Sequence, residues 1–125
     1  MDVAFSTAKL AKLCNSEKKL RGEFGPRMAA LIQQRLTELR AADILEDLRH
    51  LPGPRCHELT GDLAGQLAVD LVHPQRLLFV PNHDPLPERG VGGLDWKAVS
   101  AGMVVRIIDY HWPELGGTDG QEKAR

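Results

Sequence analysis

Gln66-Leu67-Ala68-Val69-Asp70-Leu71-Val72-His73-Pro74-Gln75-Arg76-Leu77-Leu78-Phe79-Val80 is the stretch on which the fold turns. Leu67, Val69 and Leu71 alternate with Gln66, Ala68 and Asp70, the period-2 pattern of a strand with one buried face. His73-Pro74 ends that strand, and Arg76 to Val80 makes the next one. Upstream, Arg55 to Thr60 reads as a further strand, joined through the turn-rich Gly61-Asp62-Leu63-Ala64-Gly65. Downstream, Met103 to His111 closes the sheet, and Val104-Val105 with Ile107-Ile108 predicts burial on both faces, as in a central strand. Residues 81–97 form a long loop rich in Pro, Gly and charge, and such loops in small domains tend to be functional or mobile.

The first half of the chain has a different period. Val3-Ala4-Phe5 is a short strand candidate, and Ser6 is placed to cap a helix through Lys9, Leu10 and Leu13 toward Leu20 and Phe24. Gly25-Pro26 interrupts it, and Pro26 suits the first turn of a new helix. There Met28, Leu31, Ile32, Leu36 and Leu39 fall on one face at helical spacing. Asp43 and Glu46 resemble a capping box opening a short helix, Ile44 to Arg49. Leu51-Pro52-Gly53-Pro54 then ends all helical structure. The order is β-α-α-β-β-β-β. The predicted fold is α+β, with the helical stripe on one face of a mainly antiparallel sheet and the other face left to bind a ligand. One domain spans 1–111, and the polar, Gly-containing 112–125 reads as a disordered tail.

At 125 residues the chain can bury about two thirds of its unfolded surface, so it needs no staple. Cys14 and Cys56 have no Cys-x-x-Cys partner and are read as reduced thiols. The five His residues lack zinc-ligand spacing, and His83-Asp84 reads as a solvated loop pair, so no metal is expected. No apolar run reaches the roughly 18 residues of a membrane helix. Met1-Asp2-Val3-Ala4-Phe5 lacks the basic start and apolar core of a secretory leader, so the expected location is the cytoplasm. Residues 1–50 carry nine Lys/Arg against seven Asp/Glu, and residues 51–125 seven against ten. Any basic footprint for phosphate is therefore local rather than global.

Arg55-Cys56-His57-Glu58-Leu59-Thr60-Gly61-Asp62, continuing through Gly65, Leu67, Val69 and Leu71 to Arg76-Leu77-Leu78-Phe79, resembles the sheet core of the RelE/ParE toxin superfamily. The end, Ile107-Ile108-Asp109-Tyr110-His111, is similar to the HigB branch of host-inhibition toxins. The resemblance runs over residues 2–111 and is tightest at 55–79 and 104–111. It implies a toxin of a type II toxin–antitoxin system that cleaves messenger RNA in the ribosomal A site without metal or cofactor. It implies as partners the 70S ribosome and a HigA-like antitoxin with a helix-turn-helix domain, through which the complex would reach operator DNA. Many RNA-cutting relatives carry Lys or Arg in the first strand–turn region, where this chain has Thr60, Leu63 and Ala64.

Metal-free RNA cleavage needs a base for the 2′-hydroxyl proton, an acid for the leaving 5′-oxygen, and positive charge for the transition state. The resemblance carries His57, Asp109, Tyr110 and His111 over as catalytic residues. His57 and His111 are the acid–base candidates, because imidazole titrates near neutrality. Asp109 would orient an imidazole, and Tyr110 would contact base or phosphate. Asp109 and His111 leave one face of a regular strand and Tyr110 the other, so a bend or bulge near the chain end is required. Arg76 matches the family's strand arginine and can clamp phosphate, or else cover the sheet and pair with Asp70. Lys9, Lys12, Lys18 and Lys19 form a basic run, either a solvated helix face or a contact to ribosomal RNA. Trp96 reads as a loop anchor, Trp112 as tail packing or a stacking platform, and His73 as a turn residue.

Two other functions fit the same fold. A ParE-like gyrase poison needs no acid–base set, so the histidines argue against it. A degenerate member that only binds an antitoxin or nucleic acid would suit the weak basic footprint.

Overall fold

The computed structural model describes residues 1–108. The expected strand end Asp109-Tyr110-His111 and the expected tail lie outside the described residues. In chain order the elements are β1 (Asp2–Phe5), α1 (Ala8–Cys14), α2 (Glu17–Phe24), α3 (Pro26–Ala41), a 3-10 helix (Leu45–His50), β2 (His57–Glu58), a 3-10 turn (Gly61–Leu63), β3 (Leu67–Asp70), β4 (Arg76–Pro81), a second 3-10 turn (Trp96–Ala98) and β5 (Ala101–Ile108). The five strands form one open sheet in the order β1-β5-β4-β3-β2. β1 runs parallel to β5, and the other three pairings are antiparallel. The architecture is α+β with a mixed sheet.

α3 forms where its apolar spacing predicts. Met28, Ile32, Leu36 and Leu39 are buried together with Ala29 and meet Leu67, Val69, Leu77, Phe79 and Val104 from the sheet. Each such aliphatic side chain contributes roughly 2 kcal/mol by leaving water. Gly25 ends α2 and opens α3 at a φ of 84°, which an L side chain resists, while Pro26 takes the first helical turn. Gly102 on β5 is fixed by packing, since a Cβ there would sit 3.3 Å from the Phe79 ring.

Several boundaries differ from those predicted. Thr7, not Ser6, caps α1, its hydroxyl accepting from the Leu10 N–H at 3.0 Å. The expected single helix breaks at Asn15, because the Ser16 hydroxyl takes the Lys19 N–H and starts α2 afresh. Asp47 rather than Glu46 closes the short helix, accepting from the Asp43 and Ile44 N–H groups, and that helix is 3-10. Helical turns recur after Pro54, at 61–63 and 96–98. The strand expected over 55–60 pairs only at His57 and Glu58. Ala68, expected on a polar face, is fully buried, as is Leu78 beside it in β4.

β5 is internal to the sheet, but its double apolar pairs have another cause than two-faced burial. Leu78 pairs with Arg106 and Phe79 with Val104, so Val105 is an extra residue in a bulge. The bulge brings Val104 and Ile107 to the same, helix-side face and sends Arg106, which is exposed, to the other.

Arg35, 6% exposed, is the one charged side chain buried among the described residues. Its guanidinium donates to the Asp70 carbonyl at 2.6 Å, the Gly53 carbonyl at 3.0 Å and Glu38 Oε1 at 2.9 Å. One side chain of α3 therefore holds both the end of β3 and the Pro52-Gly53-Pro54 segment.

Candidate functional site

The candidate site is built on the face of the sheet that α3 does not cover. Directly opposed strand residues share a face, so the register His57–Ala68–Leu78–Arg106 forms one row across β2, β3, β4 and β5. Asp70, Arg76 and Ile108 form the next row on the same face. With strands about 4.8 Å apart and residues about 3.3 Å apart, the His57 and Arg76 Cα atoms lie roughly 12 Å from each other.

His57 is half-buried at the edge strand, and its Nδ1 lies 2.8 Å from the Arg55 carbonyl oxygen. A carbonyl only accepts, so Nδ1 carries the proton and the neutral ring keeps its lone pair on Nε2. That is the tautomer a general base needs. Arg55 presents its carbonyl from a left-handed backbone, φ 47°, unusual for a residue with a Cβ and costing about 1 kcal/mol.

The Arg55 side chain reaches Asp70, Nε to Oδ2 at 2.7 Å and Nη2 to Oδ1 at 3.3 Å. This hydrogen bond and the Asp70 charge raise the Arg55 guanidinium pKa further above its ordinary value. Arg76 Nε lies 3.9 Å from Asp70 Oδ1. One carboxylate thus sits between two arginines on the His57 face, and the expected pairing of Arg76 with Asp70 is present alongside any role in holding phosphate. Arg106, exposed at the far end of the His57 row, makes no ion pair with any described residue. It went unnoticed in the sequence because the bulge that sets its direction has no local signature.

Asp109, Tyr110 and His111, expected to complete the site, lie outside the described residues, as does Trp112. The structure brings His57, Asp70 and Arg76 onto one face. It does not bring the lysine run there: Lys9, Lys12, Lys18 and Lys19 are exposed on α1 and α2, which pack on the opposite face. Lys9, Lys12 and Lys19 line a shallow groove with Leu13, Gly22 and Glu23, and Lys18 stays outside it.

Glu58, the residue after His57, points to the helix side. Its carboxylate accepts the Trp96 indole N–H at 2.8 Å, and the Arg49 guanidinium lies 3.9 Å above the Trp96 ring. Glu46 holds Arg49 through both carboxylate oxygens at 3.1 Å. Trp96 anchors the 81–97 loop here as predicted, and Val99 behind it joins the core. A cleft of about 540 Å³ opens beside this anchor, lined by Glu46, Arg49, Glu58, Arg89, Trp96 and Lys97 among others. Its Glu46, Arg49 and Glu58 charges are already engaged. Trp96 thus fixes the C-terminal end of the loop on the helix side.

Cys14 and Cys56 are free. Burial pushes the Cys14 thiol up to about 11, with Arg40 opposing. Burial pushes Cys56 up to about 12, with Arg49 opposing and Glu58 adding to the shift. Neither is a nucleophile at neutral pH. His83 Nε2 accepts the Ser100 N–H at 3.0 Å and so ties the loop to the start of β5. Among the described residues, no three His, Cys, Asp or Glu side chains are grouped to hold a metal ion, and no helix is long and apolar enough to cross a membrane.

Compared with known proteins, the sequence matches no family model and no curated protein.

Proposed function

We propose that this chain is a metal-independent endoribonuclease, the toxin of a type II toxin–antitoxin pair, with a RelE-like fold of the HigB branch. The observation that carries the reading is the His57 tautomer. An imidazole with Nδ1 donated to a backbone carbonyl holds a free Nε2 lone pair on a sheet face shared with Arg76 and Arg106. In the reaction, Nε2 would take the 2′-hydroxyl proton, and the 2′-oxygen would attack the adjacent phosphorus as the 5′-oxygen leaves. His111 would return a proton to that oxygen, with Asp109 orienting an imidazole and Tyr110 contacting base or phosphate. Arg76 would contact the phosphate and stabilise the added negative charge. The 70S ribosome would present the messenger RNA, and a HigA-like antitoxin would neutralise the toxin. The chain would work in the cytoplasm.

The test is cleavage of translating mRNA by wild type, His57→Ala and His111→Ala. Wild type should cut within codons, and each variant should lose at least about a hundredfold in rate while remaining folded. Equal growth arrest by all three would overturn the nuclease mechanism, and failed supercoiling without RNA cleavage would replace it with gyrase poisoning.

A further inference from the structure

The two most exposed large hydrophobic side chains among the described residues, Val91 at 89% and Leu86 at 49%, both lie on the 81–97 loop. The backbone there is an ordered finger. The Arg89 N–H donates to the Gly93 carbonyl, the Gly92 N–H to the Arg89 carbonyl and the Asp95 N–H to the Pro87 carbonyl, each at 2.9 Å. Gly92 and Gly93 supply the positive φ that the turn needs. A tip ordered in advance loses little conformational freedom when it binds. Asp84 and Glu88 flank Leu86 in the chain, and both are exposed and without an ion pair among the described residues. The groove between α1 and α2 has the complementary chemistry. Lys9, Lys12 and Lys19 rim it, exposed and likewise without ion pairs among the described residues, and Leu13 gives it an apolar floor. Glu23 is the one acidic residue among those described that line it. Gly22 leaves it open, since a Cβ there would meet nothing within 4 Å. The space is about 330 Å³, enough for an aliphatic side chain.

We infer that this groove receives the finger of a second copy of the chain, with Val91 and Leu86 over the Leu13 floor and Asp84 and Glu88 facing the lysine rim. Within one chain the two parts belong to opposite edges of the sheet. α1 packs on β1, whereas the Trp96 end of the loop meets Glu58 of β2, four strand spacings or about 19 Å away. A two-fold arrangement of two copies makes the contact twice and closes on itself. Lysines alone would suit a polyanion, but the apolar floor and the exposed aliphatic tip call for each other. Each contact is small, so the dimer is weak and sensitive to salt. The inference goes beyond the nuclease reading and does not rest on it.

The experiment is sedimentation equilibrium of the full-length chain over a concentration series. At about 50 mM salt, wild type should show a monomer–dimer equilibrium with a Kd on the order of tens of micromolar, weakened severalfold at about 500 mM. Val91→Asp should weaken association by at least about tenfold. So should a loop reversal, Asp84→Lys with Glu88→Lys, and a groove reversal, Lys9→Glu with Lys12→Glu, each taken alone. An equimolar mixture of the two reversed proteins should recover association, because each copy then meets its complement in both contacts. Adding Val91→Asp to both members should remove that recovery, which separates a seated tip from general attraction between opposite net charges. All the changed residues are exposed, and circular dichroism checks that the variants keep their fold. Wild type that stays monomeric to about 500 µM overturns the inference. A dimer that Val91→Asp leaves unchanged overturns it too, as does a mixture that fails to recover. Open-ended assembly that Val91→Asp abolishes keeps the contact and overturns its two-fold closure.

Discussion

His57 and Glu58 are neighbours in the shortest strand of the sheet, and they serve opposite faces. His57 meets the Arg55 carbonyl on the face away from α3, while Glu58 takes the Trp96 indole N–H on the helix side. Both the candidate chemistry and the loop anchor thus depend on two residues of pairing with β3. What holds β3 in place is Arg35, whose donors end on the Asp70 and Gly53 carbonyls and on Glu38. Arg35→Met removes the charge and leaves two carbonyls and a half-buried carboxylate without their donor. Removing one partner of a buried pair costs about 3 kcal/mol or more, so urea unfolding should show a loss of that size. A loss under about 1 kcal/mol would mean that water reaches these groups in the native protein. The carboxylate of Asp70 belongs to the site and its carbonyl to the core, which links α3 to the Arg55–Asp70–Arg76 cluster through one residue.

At the scale of elements, the two short helices α1 and α2 exist because hydroxyls compete for N–H groups. Thr7 accepts from Leu10 and Ser16 from Lys19, each in the third helical position after the cap. Thr7→Ala should cost about 1 kcal/mol, whereas Ser6→Ala should be close to neutral, and thermal melts of the two variants compare them directly. A larger effect at Ser6 would place the helix start one residue earlier. Helix existence was legible in the apolar spacing, but the break at Asn15 was not, since Lys9 to Phe24 reads as one continuous amphipathic run. The β5 bulge was equally hidden. Val104-Val105 and Ile107-Ile108 look like a strand buried on both faces, and only pairing with β4 reveals that one residue is extra. Burial of α3 was legible because each member of its stripe repeats locally at 3.6 residues.

Across the whole molecule, one buried and one half-buried thiol couple stability to pH. Cys14 and Cys56 stand at about 11 and about 12 in the folded chain, above the ordinary thiol value of 9.0. Unfolding returns them to water, so the unfolded chain loses those protons first as pH rises. Their contribution is whole below pH 9 and is lost as pH climbs through the folded values. Urea midpoints should therefore fall from about pH 8 to about pH 10.5, and the double variant Cys14→Ala, Cys56→Ala should show a smaller fall. An identical fall in both proteins would assign the effect to other groups. The same burial predicts slow reaction with thiol reagents near neutrality until the chain unfolds.

The sequence by itself determined the class of the fold, the end of the α-helices before Pro52-Gly53-Pro54, the α3 stripe, and the β3 and β4 strands around His73-Pro74. These are properties of periods and turn residues, and local sterics enforce them without reference to distant chain. Only the tertiary structure decided that β1 runs parallel to β5, that Trp96 meets Glu58, that Asp70 lies between Arg55 and Arg76, and that Arg106 shares the His57 row. Each of these depends on strand register. Register is set by which side chains fill the space between sheet and helices, and a single extra residue in one strand reverses the face of those that follow.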